Sequence, residues 1–304
     1  MRKIKIRNIE KRDNVFVEQI IRTCLLEFGG DREGTAWCDP DLGRFSEVYD
    51  KPGFQYWVAE DEDGKIVGGA GIGALTDDVC ELQKMYCLQE ARGTGTAQQL
   101  MERCLIFAKM HYKKCYLETF RNMTAANKFY QKYGFQKLEK PYLETEHFSC
   151  DVWYIKDLEP LKFVAKNFNE LTITELYELL KARTEIFLME QDIKYQDKDD
   201  VDYDSLHCFI QNEQKVVAYL RAFYKENGVV QVGRVLSLYH NMGLGSLLMK
   251  KSIRAIQEKK PCERIAMDAQ RHAIRFYEKL GFEVKSSVFL EAGLEHVIMD
   301  IKPS

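Results

Sequence analysis

Apolar and polar residues alternate through "KIKIRNI", residues 3–9, which predicts a strand, and between Val15 and Phe28 the apolar spacing lengthens to that of a helix. "QYWVAED", "KIVGGAGIGAL" and "CELQKMYCL" read as three strands, the first two joined through the turn "EDGK". After the loop in "EARGTGTAQQLM", Leu100, Cys104, Phe107 and Ala108 recur at helical spacing. "KCYLETF" then reads as a strand, "TAANKFYQKYG" as a helix closed by Gly134, and "FSCDVWYIK" as a final strand. The rest of the chain follows the same order. A helix is predicted from roughly Thr174 to Glu190, and strands at "LHCFIQN", "VVAYLRAFY" and "VVQVGRVLSL". A helix from about Gly245, the strand "RIAMDA", the helix "HAIRFYEKLG" and the strand "HVIMDI" complete it.

The likeness extends to residues. "FYQKYGF" at 129–135 returns as "FYEKLGF" at 276–282, so Tyr130 and Tyr277 stand 147 positions apart (277 − 130). Gly95 and Gly243 are 148 apart, as are Ala97 and Gly245. A period this long fits a duplicated domain rather than a solenoid repeat. The boundary is expected at "KDLEPLKF", giving domains 1–157 and 158–304, each α+β around a mixed sheet with helices on its faces.

Composition narrows the classes. A net charge of −3 over 304 residues gives no reason to expect a nucleic-acid partner. The charged start "MRKIKIRNIEKRD" lacks a signal-peptide core, and no apolar run is long enough for a membrane span, so a cytoplasmic protein is expected. Nine cysteines without C-x-x-C spacing indicate neither a zinc site nor a disulfide framework, and no metal is expected.

A strand, a glycine loop and a helix form a recurrent anion cradle, since the helix N-terminus offers unpaired N–H groups. Taken alone, the loop reads first as a tight strand–helix turn without a ligand. A nucleotide-binding G-x-G-x-x-G fails here because Gln98 occupies the third position, and no P-loop motif is present.

Loop and tyrosine together resemble a family. Arg92-Gly93-Thr94-Gly95-Thr96-Ala97 matches the [R/Q]-x-x-G-x-[G/A] signature of the GCN5-related N-acetyltransferases, and Ala126, Tyr130, Gly134 and Phe135 match that family's later helix. The second half is similar to the ElaA branch through "RTEIFLMEQDIKYQDKD", "VGRV", "DAQ", "FYEKLGF" and "EAGLEH". The resemblance implies two such domains, each with a mixed, mostly antiparallel sheet and helices on both faces. It implies acetyl-CoA as co-substrate and a small-molecule or peptide amine as acceptor. A CoA-binding sensor or scaffold without turnover is the alternative, and a homo-oligomer is compatible with either.

By the same resemblance the loop would hold the pyrophosphate, and Tyr86, Cys87 and Leu88 the pantetheine arm and thioester. In the second half the corresponding residues are Leu236, Leu238, His240, Asn241, Met242, Gly243, Leu244, Gly245 and Ser246. A backbone N–H near Cys87 or Leu88 would stabilise the oxyanion. Tyr130 is the candidate general acid, with Tyr277 its counterpart; alone, either is equally a core aromatic. Glu81, eleven residues before Arg92, is the candidate base or else a strand-end surface carboxylate. Counting back eleven from His240 reaches Val229, so no second carboxylate matches, and the segment 237–240 reads one residue short of the family pattern. Glu190, His207 and His296 are candidates for an acceptor pocket. The acidic loop "YQDKDDVDYD", 195–204, reads as a solvated loop or as an attractor of cationic amines. The first half is therefore expected to carry most of the transfer, with the second a weaker enzyme or a recognition module.

Overall fold

The computed structural model describes residues 4–143, 147–193, 196–226 and 228–303, so Lys3 of the first expected strand and Tyr195 of the acidic loop lie outside the described residues. The chain divides into two compact units, residues 1–160 and 161–304. Leu158 is buried and its N–H donates to the Lys113 carbonyl, which ties it to the first unit. Among the described residues no helix is long and apolar enough to cross a membrane.

The first unit has strands β1 (Lys5–Asn8), β2 (Gln55–Glu60), β3 (Ile66–Ala74), β4 (Val79–Cys87), β5 (Lys114–Thr119), β6 (Gln136–Leu138) and β7 (Val152–Asp157). Their order across the sheet is β1-β2-β3-β4-β5-β7-β6, and only β4 and β5 run parallel. Helices α1 (Asn14–Glu27), α2 (Phe45–Val48), α3 (Thr96–His111) and α4 (Thr124–Lys132) accompany it. In α1 the residues Val17, Ile20, Ile21, Cys24 and Leu25 repeat at helical spacing and are all buried. Gly69 and Gly71 are needed in β3, because a Cβ at either would come within 2.8 Å of a tyrosine ring, Tyr56 or Tyr49.

The second unit repeats this plan. Its strands are β8 (Lys162–Asn167), β9 (Leu206–Asn212), β10 (Lys215–Glu226), β11 (Val229–Ser237), β12 (Arg264–Gln270), β13 (Glu283–Val284), β14 (Phe289–Glu291) and β15 (Leu294–Ile301). The order is β13-β15-β12-β11-β10-β9-β8, with β14 beside β15 and only β11 and β12 parallel. The helices are α5 (Ile173–Arg183), α6 (Leu244–Lys259) and α7 (Ile274–Glu278). The expected helix 174–190 divides: Thr172 and Glu175 form a capping box that starts α5, and a π-type turn occupies Thr184–Glu190. The helix expected over 272–281 is one short turn and a half, preceded by a 3-10 turn at Arg271–Ala273.

Candidate active site

Register creates the site. β4 pairs with β5 only over Val79–Glu81, while β5 continues along β7 to Thr119, so the two parallel strands part after Glu81. On the other edge of β4 the pairing to β3 slips between Gly69 and Gly71, leaving Lys84 and Met85 opposite Ala70 as a bulge. Lys84 sits there at φ 51°. A left-handed non-glycine residue costs about 1–3 kcal/mol, and ion pairing offsets it: Lys84 Nζ pairs with Asp39 and lies 3.0 Å from His147 Nε2. Burial opposes the charge on Asp39, but His147 and Lys84 outweigh it and hold the carboxyl down at about 2.

β11 repeats the arrangement. It pairs with β12 only over Val229–Val232, and a bulge opposite Leu220 places Arg234 at φ 55°. Lys84 and Arg234 are 150 positions apart (234 − 84), whereas the loop glycines are 148 apart. The stretch between bulge and loop is therefore two residues shorter in the second half, and counting back from the loop misplaces the strand. Read through the bulge, Glu81 corresponds to Gln231 rather than to Val229, and Glu118 corresponds to Asp268.

Period-two alternation puts Glu81, Gln83, Tyr116 and Glu118 on one face at the parting strands. Gln83 Nε2 donates to Glu81 at 2.7 Å, and the Tyr116 hydroxyl donates to Glu118 at 2.8 Å. Glu81 is buried, not the surface carboxylate of the alternative reading, and burial pushes its carboxyl above the usual range against the pull of Gln83 and Lys84, with Glu118 adding to the rise. Glu81, Glu118 and His147 each bring one ligand atom to within 4.8 Å of the others. Lys84 Nζ lies beside His147 and already supplies a positive charge next to the two carboxylates. Glu81 and Tyr130 line one cavity of about 70 Å³, with Gln83, Lys84, Glu118 and His147. Tyr130 is buried, and burial raises its hydroxyl well above the usual tyrosine value.

Of the two backbone N–H groups expected near the end of β4, the sheet ladder takes one. The Leu88 N–H is taken by the Val67 carbonyl at 2.9 Å. Amides alternate along an antiparallel strand, so the Cys87 N–H points the other way, into the gap that β5 has left. Leu238 donates to Val217 in the same manner at 2.9 Å, which aims the Ser237 N–H into the second gap. Burial pushes the Cys87 thiol up to about 12. Tyr86 lines the same cavity as Tyr130, whereas the Leu236 and Met242 side chains are buried in the core of the second unit.

Gly93 and Gly95 have φ of 76° and 92°, and Gly95 caps α3. The first helical bond is Gln99 N–H to the Gly95 carbonyl, so the N–H groups of Thr96, Ala97 and Gln98 lack intrahelical partners. The Thr94 hydroxyl bonds Ala91 and Thr96 at 2.7 and 2.8 Å and stiffens the turn. In the second half Asn241 and Gly243 take φ of 57° and 85° ahead of Leu244, Gly245 and Ser246 in α6. Asn at the first of these positions fits its tolerance for left-handed backbone. Arg92 and His240, the side chains beside the loops, are not aimed at them. Arg92 bonds Glu27 at 2.7 Å and the Cys87 carbonyl at 3.0 Å, and His240 bonds Glu190 at 2.8 Å.

The second cavity, about 510 Å³, is lined by Gln231, Gly233, Arg234, Asp268, Tyr277 and His296 among others. Burial pushes the Tyr277 hydroxyl up to about 12. Of the three acceptor-pocket candidates only His296 lines this cavity. Glu190 is engaged by His240, and His207 is buried between the Tyr219 hydroxyl and the Asp202 carbonyl, both at 2.9 Å. Part of the acidic loop is solvated, since Gln196, Lys198, Asp200, Tyr203 and Asp204 are exposed, but three of its aspartates are already engaged. Asp197, Asp199 and Asp202 pair with Arg183, Arg221 and Arg234, arginines from α5, β10 and the bulge, in a cluster that balances three charges of each sign. Glu118, His147, Gln231 and Ser237 escape the sequence reading, and Asp268, though part of "DAQ", is given no role there; the 150-residue offset along the strands relates Glu81 to Gln231, Cys87 to Ser237 and Glu118 to Asp268, whereas nothing in the sequence signals His147.

Fold, parted strands and loop define an acyltransferase of one family. Residues 52–137 and 188–303 each match the family described as acetyltransferase (GNAT) domain. The chain belongs to the GNAT acetyltransferases, with two such domains in tandem, and the family's activity is acyl transfer. It is 37% identical over 158 residues to the Escherichia coli protein named uncharacterized N-acetyltransferase YjgM, covering 50% of this chain and 94% of that one. It is 31% identical over 137 residues to E. coli ElaA, covering 43% and 90%. Solved structures that resemble it include an acyl-CoA N-acyltransferase from Pseudomonas aeruginosa, at 33% identity and TM-score 0.43, covering 46% of this chain and 98% of that one. Crystalline E. coli ElaA, at 29% identity and TM-score 0.44, covers 46% and 98%.

Proposed function

We propose that the chain transfers an acetyl group from acetyl-CoA to a primary amine by direct attack, on a small molecule or a peptide, and that the first half performs this transfer. The observation that carries the reading is the placement of Glu81 and Tyr130 on one cavity, at a gap faced by the Cys87 N–H. The N–H groups at the start of α3 and the open backbone at Gly93 and Gly95 would receive the pyrophosphate. Glu81 takes the ammonium proton, directly or through water, and the free amine attacks the thioester carbonyl. The Cys87 N–H donates to the oxyanion, and Tyr130, held in its protonated form by burial, gives its proton to the departing thiolate. Thiol release from acetyl-CoA with an amine panel tests this. Binding of CoA without amine-dependent thiol release would replace the enzyme with a sensor.

A further inference from the structure

We infer that the second half holds an acyl-transfer site of its own, in which Asp268 takes the proton of an amine too bulky for the first half's cavity. The inference rests on the activity proposed above and assigns a different base and a different acceptor size to the second unit.

Register carries the first part. In the first half the carboxylate stands on β4 as Glu81, while the matching position on β11 is the neutral Gln231. The second half keeps only the carboxylate on the far side of the gap, Asp268 on β12, which stands where Glu118 stands on β5. Asp268 lies two residues beyond Ala266, the partner of Gln231, and therefore shares its face. Gln231 Nε2 donates to Asp268 Oδ2 at 2.8 Å, which fixes the side chain where it lines the cavity with Tyr277. Gln231 is thus a positioning residue.

Cavity shape carries the second. Gln83 fills the first cavity, bonded to Glu81 and to the Tyr49 hydroxyl. Its counterpart is Gly233, where a Cβ would meet nothing within 4 Å. The missing side chain accounts for part of the difference between about 70 and about 510 Å³. Phe187, Phe223 and Ile193 give the larger cavity apolar walls, while Asp268 and Glu291 favour a cation. Arg221 and Arg234 add no net positive charge there, being matched by the three aspartates of the loop.

The step balances. The amine enters as an ammonium and gives one proton to Asp268. Its nitrogen bonds to the thioester carbonyl carbon, the carbon–sulfur bond breaks, and the thiolate takes the Tyr277 proton. The second nitrogen proton leaves as the adduct collapses and restores Tyr277 through solvent, and Asp268 returns its own to water.

The test uses the full chain with the first site silenced by Gly95→Val and Tyr130→Phe together, acetyl-CoA as donor, and tyramine or ethanolamine as acceptor. Thiol release with tyramine should persist in the silenced chain. Adding Asp268→Asn, which retains an oxygen for Gln231, should lower kcat by about 100-fold or more at unchanged KM for acetyl-CoA and unchanged melting temperature. The residual rate should climb with pH as free amine accumulates, and Asp268→Glu should recover part of it. Gly233→Gln should raise KM for tyramine and leave CoA affinity alone. An active wild type whose turnover vanishes on silencing overturns the inference and leaves the first-half reading intact, and so does an Asp268→Asn chain with unchanged kcat and pH profile. Wild-type turnover indifferent to silencing yet lost with Asp268→Asn supports the inference and removes the first-half reading. A wild type inert with both amines defeats both.

Discussion

Asp39 anchors the bulge of the first half, and its replacement gives a stability change whose size follows from the structure. The carboxyl is held at about 2 against an ordinary 3.8 by His147 and Lys84, despite burial. A depressed carboxyl contributes stability that is complete well above 3.8 and is lost as pH falls through the folded value. At 1.36 kcal/mol per pH unit the difference is worth about 2 kcal/mol at neutral pH. Asp39→Asn also strands Lys84, whose side chain is 11% exposed, so the loss should reach this figure or slightly exceed it. The three tryptophans, Trp37, Trp57 and Trp153, all lie in the first unit, so urea unfolding followed by intrinsic fluorescence reports on that unit selectively. The gap between wild type and Asp39→Asn should be full at pH 7 and about half gone at pH 3. A gap below about 0.5 kcal/mol, or one that does not shrink with acid, would refute this account of the bulge.

Glu81→Gln should lower turnover most near neutral pH yet raise the urea midpoint there, because a carboxyl raised above 4.5 stabilises the fold below that value and loses this as pH climbs through its folded value. A variant both less active and less stable at pH 7 would remove burial as the cause. Tyr130→Phe should reduce kcat by about 100-fold with CoA affinity unchanged, as read by calorimetry beside steady-state kinetics; equal losses in binding would make Tyr130 a packing residue. Gly95→Val has room for its side chain but not for its backbone at φ 92°, so it should cost about 1–2 kcal/mol and weaken CoA binding to the first half by roughly tenfold or more. Normal binding would mean that the loop does not meet the pyrophosphate.

The duplicated layout was legible because strand alternation and helical spacing are local, and the two glycine turns and the "FYxKxGF" helices are distinctive strings. The parting of β4 from β5 was not, since it depends on which strand β5 prefers once Glu81 is passed. Gln231 and Asp268 were hidden by a length change between strand and loop, which turned a count from His240 toward Val229. The acidic loop was only partly legible, for a different reason. Arg183, Arg221 and Arg234, the partners of Asp197, Asp199 and Asp202, come from three separate elements, so nothing near residues 195–204 reveals that these three charges are matched. His147 joins Glu81 only through the fold, 66 residues away (147 − 81).

The pairing of Arg92 with Glu27 makes the protein its own competitor. Glu27 is the last residue of α1, where the helix end disfavours a negative charge, and Arg92 relieves it at 2.7 Å. A ligand phosphate that recruits Arg92 must displace a tethered carboxylate whose effective concentration is fixed by the fold. Glu27→Gln should therefore tighten CoA binding to the first half rather than weaken it, although it deletes an ion pair. By the same logic Glu190→Gln, which releases His240 in the second half, should shift CoA affinity there, as read by calorimetry, without altering a single residue of the loop.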